Sequence, residues 1–261
     1  MRAWTSPEEA AQAIRRGRGR GIRIAVLDSG VETTHPGLSG LVLSDDVAIV
    51  EDGMKLKAVP GEGRDLYGHG TAVAGIIRSV APEAEIGSFR VLGEALSART
   101  AIILEGARMA IDRGYDILNC SLGCGVPEHV LKYKSWVDEA YLRGVHVVAA
   151  CNNHDFARPE WPGFFTSVLT VNMARTEEDS DLFYKPGHLV EFAARGVDVE
   201  VPWLDGGTKK VTGSSFAAPR VTGMLACLLS EVPKLSPLQA KALFHRLAQP
   251  WNRDVLAPNE R

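Results

Sequence analysis

The sequence contains little cysteine, no long apolar run and almost no net charge. The four cysteines among its 261 residues lack the paired spacing of a zinc site. No segment approaches the roughly 20 consecutive apolar residues of a membrane span, and the N-terminus lacks the apolar core of a secretion signal. A formal charge of −3 gives no general attraction to nucleic acid. We therefore expect a cytoplasmic chain with reduced thiols and with no nucleic-acid or membrane partner.

Short apolar runs rich in β-branched residues alternate along the chain with segments whose apolar residues recur every three or four positions. The first pattern predicts strands at 22–28, 85–92, 116–122, 145–151 and 167–174. The second predicts helices at 70–80, 98–114 and 127–144. Because near-continuous apolar strands separated by helices form parallel sheets covered on both faces, the sequence predicts an α/β fold.

The start of the chain and one internal segment depart from this alternation. Ser6 as N-cap and Pro7 at the first helical position predict a short N-terminal helix. The polar, glycine-rich segment 39–66 predicts a hairpin or a surface excursion. We divide the chain into the N-terminal helix with its basic link at 1–21, one domain at 22–250 and a tail at 251–261.

Three motifs contain the side chains that a nucleophilic catalyst needs. Asp28 ends the first predicted strand, and catalytic groups gather at the carboxyl ends of parallel strands. His69 stands between two glycines at a predicted helix start. Ser215 stands at another, where we expect Pro219 to be tolerated because early helical N–H groups have no intrahelical partner. A serine nucleophile needs a base, and a histidine base needs a carboxylate to fix its tautomer, so the three side chains predict acyl transfer.

With the motifs VLDSG, GHGTAVAG and GSSFAAP, the chain resembles the subtilisin family of serine proteases, the subtilases, over about residues 22–229. The resemblance implies a three-layer subtilisin-like fold, with a mostly parallel central sheet and helices on both faces. It implies Asp28 as the orienting acid, His69 as the general base and Ser215 as the nucleophile. Ser214, the rival nucleophile, occupies the position of a family threonine.

The resemblance also implies an oxyanion-binding amide after the fourth predicted strand. Asn153 matches the family asparagine whose side chain donates to the oxyanion, and the Ser215 backbone N–H is the second donor. The chain departs from the family here, because Asn152 replaces a glycine and His154-Asp155 replaces an acid-glycine pair. Asparagine tolerates positive φ better than most residues, so we expect the turn to be kept, with Asn152 as the alternative donor.

Subtilases hold a peptide as an added strand between two backbone segments, and the segments at 91–100 and 120–125 match them. The residues implied to meet the substrate backbone are Leu92, Gly93, Ser121, Leu122 and Gly123. Gly123 and Ala150 are implied to wall the pocket for the side chain before the cut, and Glu160 at its base would favour a basic residue. A more distant apolar pocket is assigned to Leu122, Ile103 and Thr100. Helical periodicity equally allows Ile103 a place in the core.

The resemblance implies a serine endopeptidase that hydrolyses a peptide or protein substrate through an acyl-enzyme. We expect no folding pro-segment ahead of the first strand, and therefore predict an intracellular processing protease. A peptide ligase or macrocyclase that uses the same acyl-enzyme is the alternative within the enzyme class. A pseudoprotease that binds peptides without cutting them is the alternative outside it. The sequence leaves the oligomeric state open.

No cofactor is predicted, and one pair of thiols remains of interest. Many subtilases bind calcium, and the acidic residues that offer ligands here are Asp45, Asp46, Glu51 and Asp52. They lack the regular spacing of a dedicated calcium loop, so we predict a solvated surface and no metal site. Cys120 and Cys124 bracket a segment implied to meet substrate, which leaves a redox role for them open.

Overall fold

The structure is a computed structural model that describes residues 5–251, and residues 1–4 and 252–261 lie outside the described part. Within it the chain forms six α-helices, none of which is long and apolar enough to cross a membrane. They are α1 (Pro7–Arg16), α2 (His69–Val80), α3 (Thr100–Asp112), α4 (Val130–Leu142), α5 (Ser214–Glu231) and α6 (Pro237–Leu247). The predicted tail at 251–261 falls almost wholly outside the described residues, so its boundary stays a prediction.

Twelve strands occur in the same part of the chain, ten of them in one sheet. They are β1 (Arg23–Asp28), β2 (Asp46–Asp52), β3 (Lys55–Pro60), β4 (Glu85–Arg90), β5 (Ile117–Cys120), β6 (His146–Ala150), β7 (Leu169–Ala174), β8 (Leu182–Tyr184), β9 (Phe192–Arg195), β10 (Val199–Pro202), β11 (Thr208–Val211) and β12 (Gln249–Pro250). The main sheet has the order β12-β8-β9-β7-β6-β5-β1-β4-β2-β3, and its central strands are parallel. Strands β10 and β11 form a separate antiparallel pair.

The main sheet is covered on both faces, as the α/β prediction requires. Side chains alternate along β1, so that Ile24 and Val26 face one side while Ala25 and Leu27 face the other. The first pair packs in a core with α1, α2, α5 and α6, and the second pair packs with α3 and α4. The four side chains are at most 1% exposed, which explains the continuous apolar run in the sequence. The predicted three-layer arrangement is confirmed.

Helix α5 passes through the centre of the molecule with a proline near its start. We expected Pro219 to be tolerated as an early helical residue, but α5 begins at Ser214, so Pro219 lies beyond the first turn. An N–H at this position would bond the Ser215 carbonyl. Ser121 Oγ donates to that carbonyl instead, at 2.9 Å. The proline therefore leaves an acceptor through which the end of β5 is tied to α5.

The segment at 39–66 contains a hairpin that extends the main sheet. Strand β2 pairs parallel with β4, and β3 pairs antiparallel with β2 at the edge of the sheet. This position explains why the hairpin is rich in charged residues, because a hairpin at the edge of a sheet buries little surface on its outer side. The polar composition indicated the hairpin but not its membership in the main sheet.

Helix α1 begins where the N-cap signal places it. Ser6 Oγ accepts the Glu9 N–H at 3.1 Å, and the Glu9 carboxylate accepts the Ser6 N–H at 2.8 Å. Ala10 and Ala13 on the same helix are buried in the core that α5 and α6 share. The predicted boundary after residue 21 therefore lies in a link between elements of one core.

His146 at the start of β6 is a buried titratable residue, 3% exposed. Its Nε2 donates to the Leu235 carbonyl at 3.2 Å, while Nδ1 has no partner in the described part of the chain. Burial lowers the pKa of His146 to about 4, because a charged ring would lose its hydration there. The unfolded chain takes up this proton near pH 6.5, so acid favours unfolding as the pH falls from 6.5 to about 4.

We expect His146 to lower the free energy of unfolding by about 3 kcal/mol between pH 6.5 and about 4. Urea unfolding at several pH values measures this, in a Ser215→Ala background that prevents self-digestion. His146→Gln keeps a donor for Leu235 and cannot be protonated, so it should lose this part of the pH dependence. The same pH dependence in both proteins would contradict the prediction.

Candidate active site

The carboxyl end of β1 and the first turn of α2 meet at one edge of the sheet. Asp28 ends β1 and His69 begins α2, and His69 Nδ1 lies 2.8 Å from Asp28 Oδ1 and 3.0 Å from Oδ2. The approach depends on Gly70, because a Cβ at that position would overlap the Gly30 carbonyl oxygen. The Gly-His-Gly motif thus supplies both an imidazole and the space that lets the two elements touch.

The contact with Asp28 sets the protonation of His69. Asp28 is 0% exposed and His69 is 6% exposed. Burial alone lowers the pKa of His69, but the charge of Asp28, its hydrogen bond to Nδ1 and the charge of Asp65 together raise the pKa above its ordinary value. Because Nδ1–H donates to the carboxylate, Nε2 carries the lone pair of the neutral ring and is the nitrogen that can take a proton.

Ser215 lies in the first turn of α5, on the wall of a cavity of about 550 Å³ that His69 also lines. The neighbouring Ser214 is buried, with its Oγ donating to the Cys151 carbonyl at 2.7 Å and its N–H donating to Asn153 Oδ1 at 2.8 Å. Of the two hydroxyls, Ser215 is therefore the partly exposed one. The structure has no hydrogen bond between His69 and Ser215, both of which lie in its described part. Such bonds in unliganded sites often tighten only when substrate binds.

Asn152 closes the turn after β6 with its own side chain. Its Oδ1 accepts the N–H groups of His154 and Asp155 at 2.8 and 2.9 Å, and its Nδ2 donates to Glu160 Oε1 at 2.7 Å. Asn152 is not among the described non-glycine residues with positive φ. The expectation that a left-handed backbone keeps the turn is wrong, because the side-chain amide does so instead.

Asn153 also lines the cavity, and in the described part of the chain its side chain forms a hydrogen bond through Oδ1 alone. Its Oδ1 accepts the Ser214 N–H, which leaves Nδ2 at the other end of the amide. Nδ2 lies 3.5 Å from the point that a Cβ on Gly213 would occupy, and Ser215 Oγ lies 3.3 Å from the same point. The amide nitrogen and the hydroxyl thus both lie next to Gly213 at the cavity wall.

Most residues implied to meet substrate line this one cavity. They are Leu92, Thr100, Ile103, Ser121, Leu122, Gly123, Ala150, Asn152 and Glu160. Gly93 does not line it, because its N–H donates to the Ser97 carbonyl at 3.1 Å and its carbonyl accepts the Leu96 N–H at 3.0 Å. Near Gly93, the cavity wall is formed by Leu96, Ser97 and Ala98. These three residues lie in the matched segment 91–100, but none of them was predicted to contact substrate.

The Glu160 carboxylate lies against Gly123. Its Oε2 is 2.7 Å from the point that a Cβ on Gly123 would occupy, so a larger residue there would displace it. Asn152 fixes Oε1, and the next residue, Trp161, exchanges two backbone hydrogen bonds with Cys124 at 2.9 and 3.0 Å. A carboxylate in a defined position therefore stands at the cavity wall.

A series of buried hydrogen bonds ends on the Ser215 carbonyl, and the sequence did not predict these bonds. Thr222 Oγ1 donates to Asn119 Oδ1 at 2.8 Å, Asn119 Nδ2 donates to Ser121 Oγ at 2.9 Å, and Ser121 Oγ donates to the Ser215 carbonyl. Asn119 and Thr222 are both 0% exposed. The available signal was an asparagine inside an apolar strand, since a buried amide needs partners.

Asp65 is a second carboxylate beside His69 that the sequence reasoning did not identify. It accepts five hydrogen bonds, which come from Ser29 Oγ, the Tyr67 N–H, the Gly68 N–H, the Thr71 N–H and Thr71 Oγ1. These bonds hold the loop before α2 and its first turn in place. The available signal was its position ahead of a helix start, where acidic side chains accept the first N–H groups.

We expect Asp65→Asn to cost about 1–3 kcal/mol of folding free energy, because one of its two oxygens becomes a donor facing donors. Removal of the charge should also lower the pKa of His69, which Asp65 helps to raise. Since the base must be neutral, the acidic limb of the kcat/KM profile should move to lower pH. Ser29→Ala is the control, because it loses one of the bonds and keeps the charge. An unmoved limb in Asp65→Asn would contradict the prediction.

The acidic residues considered as calcium ligands are engaged with other partners or spread apart. Asp45 forms an ion pair with Arg113, and Glu51 forms one with Arg99. Across residues 5–251, no group of three or more histidine, cysteine, aspartate or glutamate side chains stands where it could hold a metal ion. The absence of a metal site stays a prediction.

A buried Asp–His pair and a partly exposed serine that lines the same cavity as the histidine are the groups that a serine hydrolase uses. The chain belongs to the Subtilase family, whose model it matches over residues 19–258. It is 32% identical over 240 residues to the Major intracellular serine protease of Bacillus subtilis (strain 168), covering 86% of this chain and 72% of that protein. It is 31% identical over 245 residues to Subtilisin Savinase of Lederbergia lenta, covering 89% and 86%.

The solved structures agree with the relatives. The crystal structure of a cold adapted subtilisin-like serine proteinase superposes with a TM-score of 0.71 at 29% identity, covering 87% of this chain and 82% of that one. The predicted family and the subtilisin-like fold are confirmed. The protein is a subtilisin-type serine endopeptidase, a hydrolase that acts on protein substrates.

Proposed function

We propose that the protein cleaves peptide bonds through a triad of Asp28, His69 and Ser215. The observation that carries the proposal is that His69, whose Nδ1 lies within 3.0 Å of both Asp28 carboxylate oxygens, shares a cavity with Ser215. His69 Nε2 takes the hydroxyl proton as Ser215 Oγ attacks the scissile carbonyl, and returns it to the leaving amine. Water then hydrolyses the acyl-enzyme with the same imidazole as base. Asn153 Nδ2 and the Ser215 N–H donate to the oxyanion.

A fluorophosphonate tests the nucleophile, because it reacts with an activated serine. We expect intact-mass spectrometry to show one adduct on the wild type and on Ser214→Ala, and none on Ser215→Ala. Ser214→Ala is the matched control, since it removes the adjacent hydroxyl. An adduct that persists on Ser215→Ala and vanishes on Ser214→Ala would reassign the nucleophile. No adduct on the folded wild type would overturn the triad.

We infer that the pocket beside Glu160 binds a basic residue before the cut. Its walls, Gly123 and Ala150, leave room for a long side chain. Glu160 is held by Asn152, so its carboxylate need not be reoriented when the substrate enters. A lysine or arginine would form a charge-assisted hydrogen bond with it, which is stronger than a neutral one.

We expect the wild type to cleave after arginine faster than after leucine. Glu160→Gln keeps the shape of the side chain and removes its charge, so the arginine-to-leucine ratio of kcat/KM should fall about 10- to 100-fold. Matched peptides that differ at this one residue measure the ratio. Asp155→Asn is the control, because it neutralises an exposed carboxylate of the same loop and should leave the ratio unchanged. Equal cleavage after both residues by the wild type would remove the proposal.

We propose further that the protein is an intracellular processing protease. The name of the Bacillus subtilis relative supports the location, and selectivity is supported by Glu160, the one carboxylate among the described residues that line the cavity. Mass spectrometry of new protein N-termini, in host cells with the wild type or with Ser215→Ala, should reveal few cleavage sites, each after a basic residue. Many sites without preference would indicate bulk digestion. Products that lack one water relative to hydrolysis would indicate a ligase or macrocyclase.

A further inference from the structure

Cys124 differs from the other three cysteines in its surroundings. All four lie in the described part of the chain, and Cys124 is the one that is not buried. Burial raises the pKa of Cys120, and raises the pKa of Cys227 to about 11, which keeps both thiols protonated and unreactive. Cys151 and Cys124 both line the substrate cavity, but Cys151 is buried, whereas Cys124 is partly exposed between Gly123 and Gly125.

A polar cluster that the proposed triad does not use surrounds the Cys124 thiol. His129 Nδ1 lies 3.8 Å from Cys124 Sγ and 2.8 Å from Thr100 Oγ1. Tyr133 lines the same cavity and is 0% exposed, and its Oη lies close to Thr100 and Cys124 without forming a hydrogen bond of normal geometry with a described residue. The cluster thus combines a nucleophile, a base within reach of it and an unsatisfied donor.

A second cavity, of about 330 Å³, shares Ala98, Thr100, Cys124 and Val126 with the substrate cavity. Arg99, His129 and Lys132 line it together with Cys124, and no carboxylate of the described residues does so. Arg99 is paired with Glu51 at 2.7 Å, whereas Lys132 has no ion-pair partner in the described part of the chain. This lining attracts anions rather than cations.

We propose that Cys124 is a site of reversible modification by an anionic low-molecular-weight disulfide, and that the adduct closes the substrate cavity. His129 Nδ1 takes the thiol proton, and the thiolate sulfur attacks one sulfur of the disulfide. The disulfide bond breaks, a bond from Cys124 Sγ to the attacked sulfur forms, and the other half leaves as a thiolate. Lys132 attracts a carboxylate of the half that stays bound. The inhibitory effect rests on the proposed function, because Cys124 lines both cavities and a group attached to its sulfur narrows the one assigned to the peptide.

Oxidised glutathione is the anionic probe, and cystamine, whose amines are cationic, is the probe of opposite charge. Intact-mass spectrometry and peptide mapping of the treated folded protein should place one glutathionyl group on Cys124, and none on Cys124→Ala. Peptide hydrolysis should fall in proportion to the modified fraction and return on reduction. Cys124→Ala, compared with its own untreated sample, should be unaffected. Lys132→Ala should lower the labelling rate by oxidised glutathione relative to cystamine about 3- to 10-fold.

Occupancy of the cavity is also read from the fluorescence anisotropy of a labelled peptide bound to Ser215→Ala, so inhibition can be judged without turnover. A glutathionyl group on Cys151 instead, or an adduct on Cys124 that leaves peptide binding unchanged, would overturn the inference. Equal labelling rates with the two probes would overturn the anionic class of ligand. Failure of fluorophosphonate labelling would instead overturn the proposed triad and leave the adduct measurement valid.

Discussion

Asp28→Asn is expected to lower kcat on the order of 10⁴-fold. Asp28 Oδ1 accepts the Ser29 N–H at 2.8 Å, so the oxygen of an asparagine would keep the Oδ1 position and its NH₂ group would take the Oδ2 position, 3.0 Å from His69 Nδ1. Because the NH₂ group donates, it would oppose a proton on Nδ1 and favour the tautomer with the proton on Nε2. Nε2 would then be unable to take the proton of Ser215. Steady-state kinetics with a peptide substrate measure the loss.

Thermal unfolding of the Asp28→Asn, Ser215→Ala double variant shows whether the protein still folds. It therefore distinguishes a change in the His69 tautomer from a loss of folded protein. Asparagine fits the space of aspartate, so the folded state should persist. Ser29→Ala serves as the control, since it removes a hydroxyl 3.3 Å from Asp28 Oδ1 and leaves the carboxylate in place. It should lose about 1 kcal/mol of stability and retain most of the activity. A loss below about tenfold in a folded Asp28→Asn enzyme would show that the carboxylate does not orient the base.

The part of the site that follows from periodicity was predictable. Strand β1 is a nearly uninterrupted apolar run, so its end at Asp28 is visible in the sequence. Helices α2 and α5 begin at glycine-containing turns, which identifies His69 and Ser215 as residues at helix starts. Topology then brings strand ends and helix starts to one edge of the sheet. The family motif adds the assignment of roles.

Loop conformation was not predictable in the same way. Gly93 matched a substrate segment by position, yet its backbone groups close a turn with Leu96 and Ser97. Asn152 replaced a glycine without adopting the backbone of one, because its side chain could accept two N–H groups. Both outcomes depend on which donors the fold brings near, and a pattern of residue types does not contain that information.

Several polar residues that are buried in the structure are visible in the sequence, but their hydrogen-bond partners could not be predicted from it. Asn119 stands in an apolar strand, and its partner Thr222 lies in a helix far along the chain. Asp65 could have been a surface acid of a glycine-rich loop until five donors were seen to converge on it. Buried polar residues of this kind form hydrogen bonds between helices, strands and loops, whereas the sequence patterns predict each helix or strand separately. They also explain why the site needs more of the chain than its three motifs.

Asn153→Ala is expected to lower kcat by about 10²- to 10³-fold with little change in KM. The Ser214 N–H fixes Oδ1 of this amide, so Nδ2 is held in place before substrate arrives. An oxyanion exists only in the transition state and the tetrahedral intermediate, so a donor aimed at it contributes to the rate rather than to ground-state binding. Pre-steady-state acylation and steady-state kinetics measure the two separately.

Asn152→Ala provides the matched comparison, because it truncates the neighbouring amide. Its Nδ2 is already bound to Glu160, so its loss should reduce the preference for a basic residue more than it reduces kcat. The two variants therefore predict opposite patterns: a rate defect at one asparagine and a specificity defect at the other. A larger fall in kcat for Asn152→Ala than for Asn153→Ala would exchange the two roles. The turn after β6 would then have to rearrange when substrate binds, since Asn152 would have to release Glu160 to reach the oxyanion.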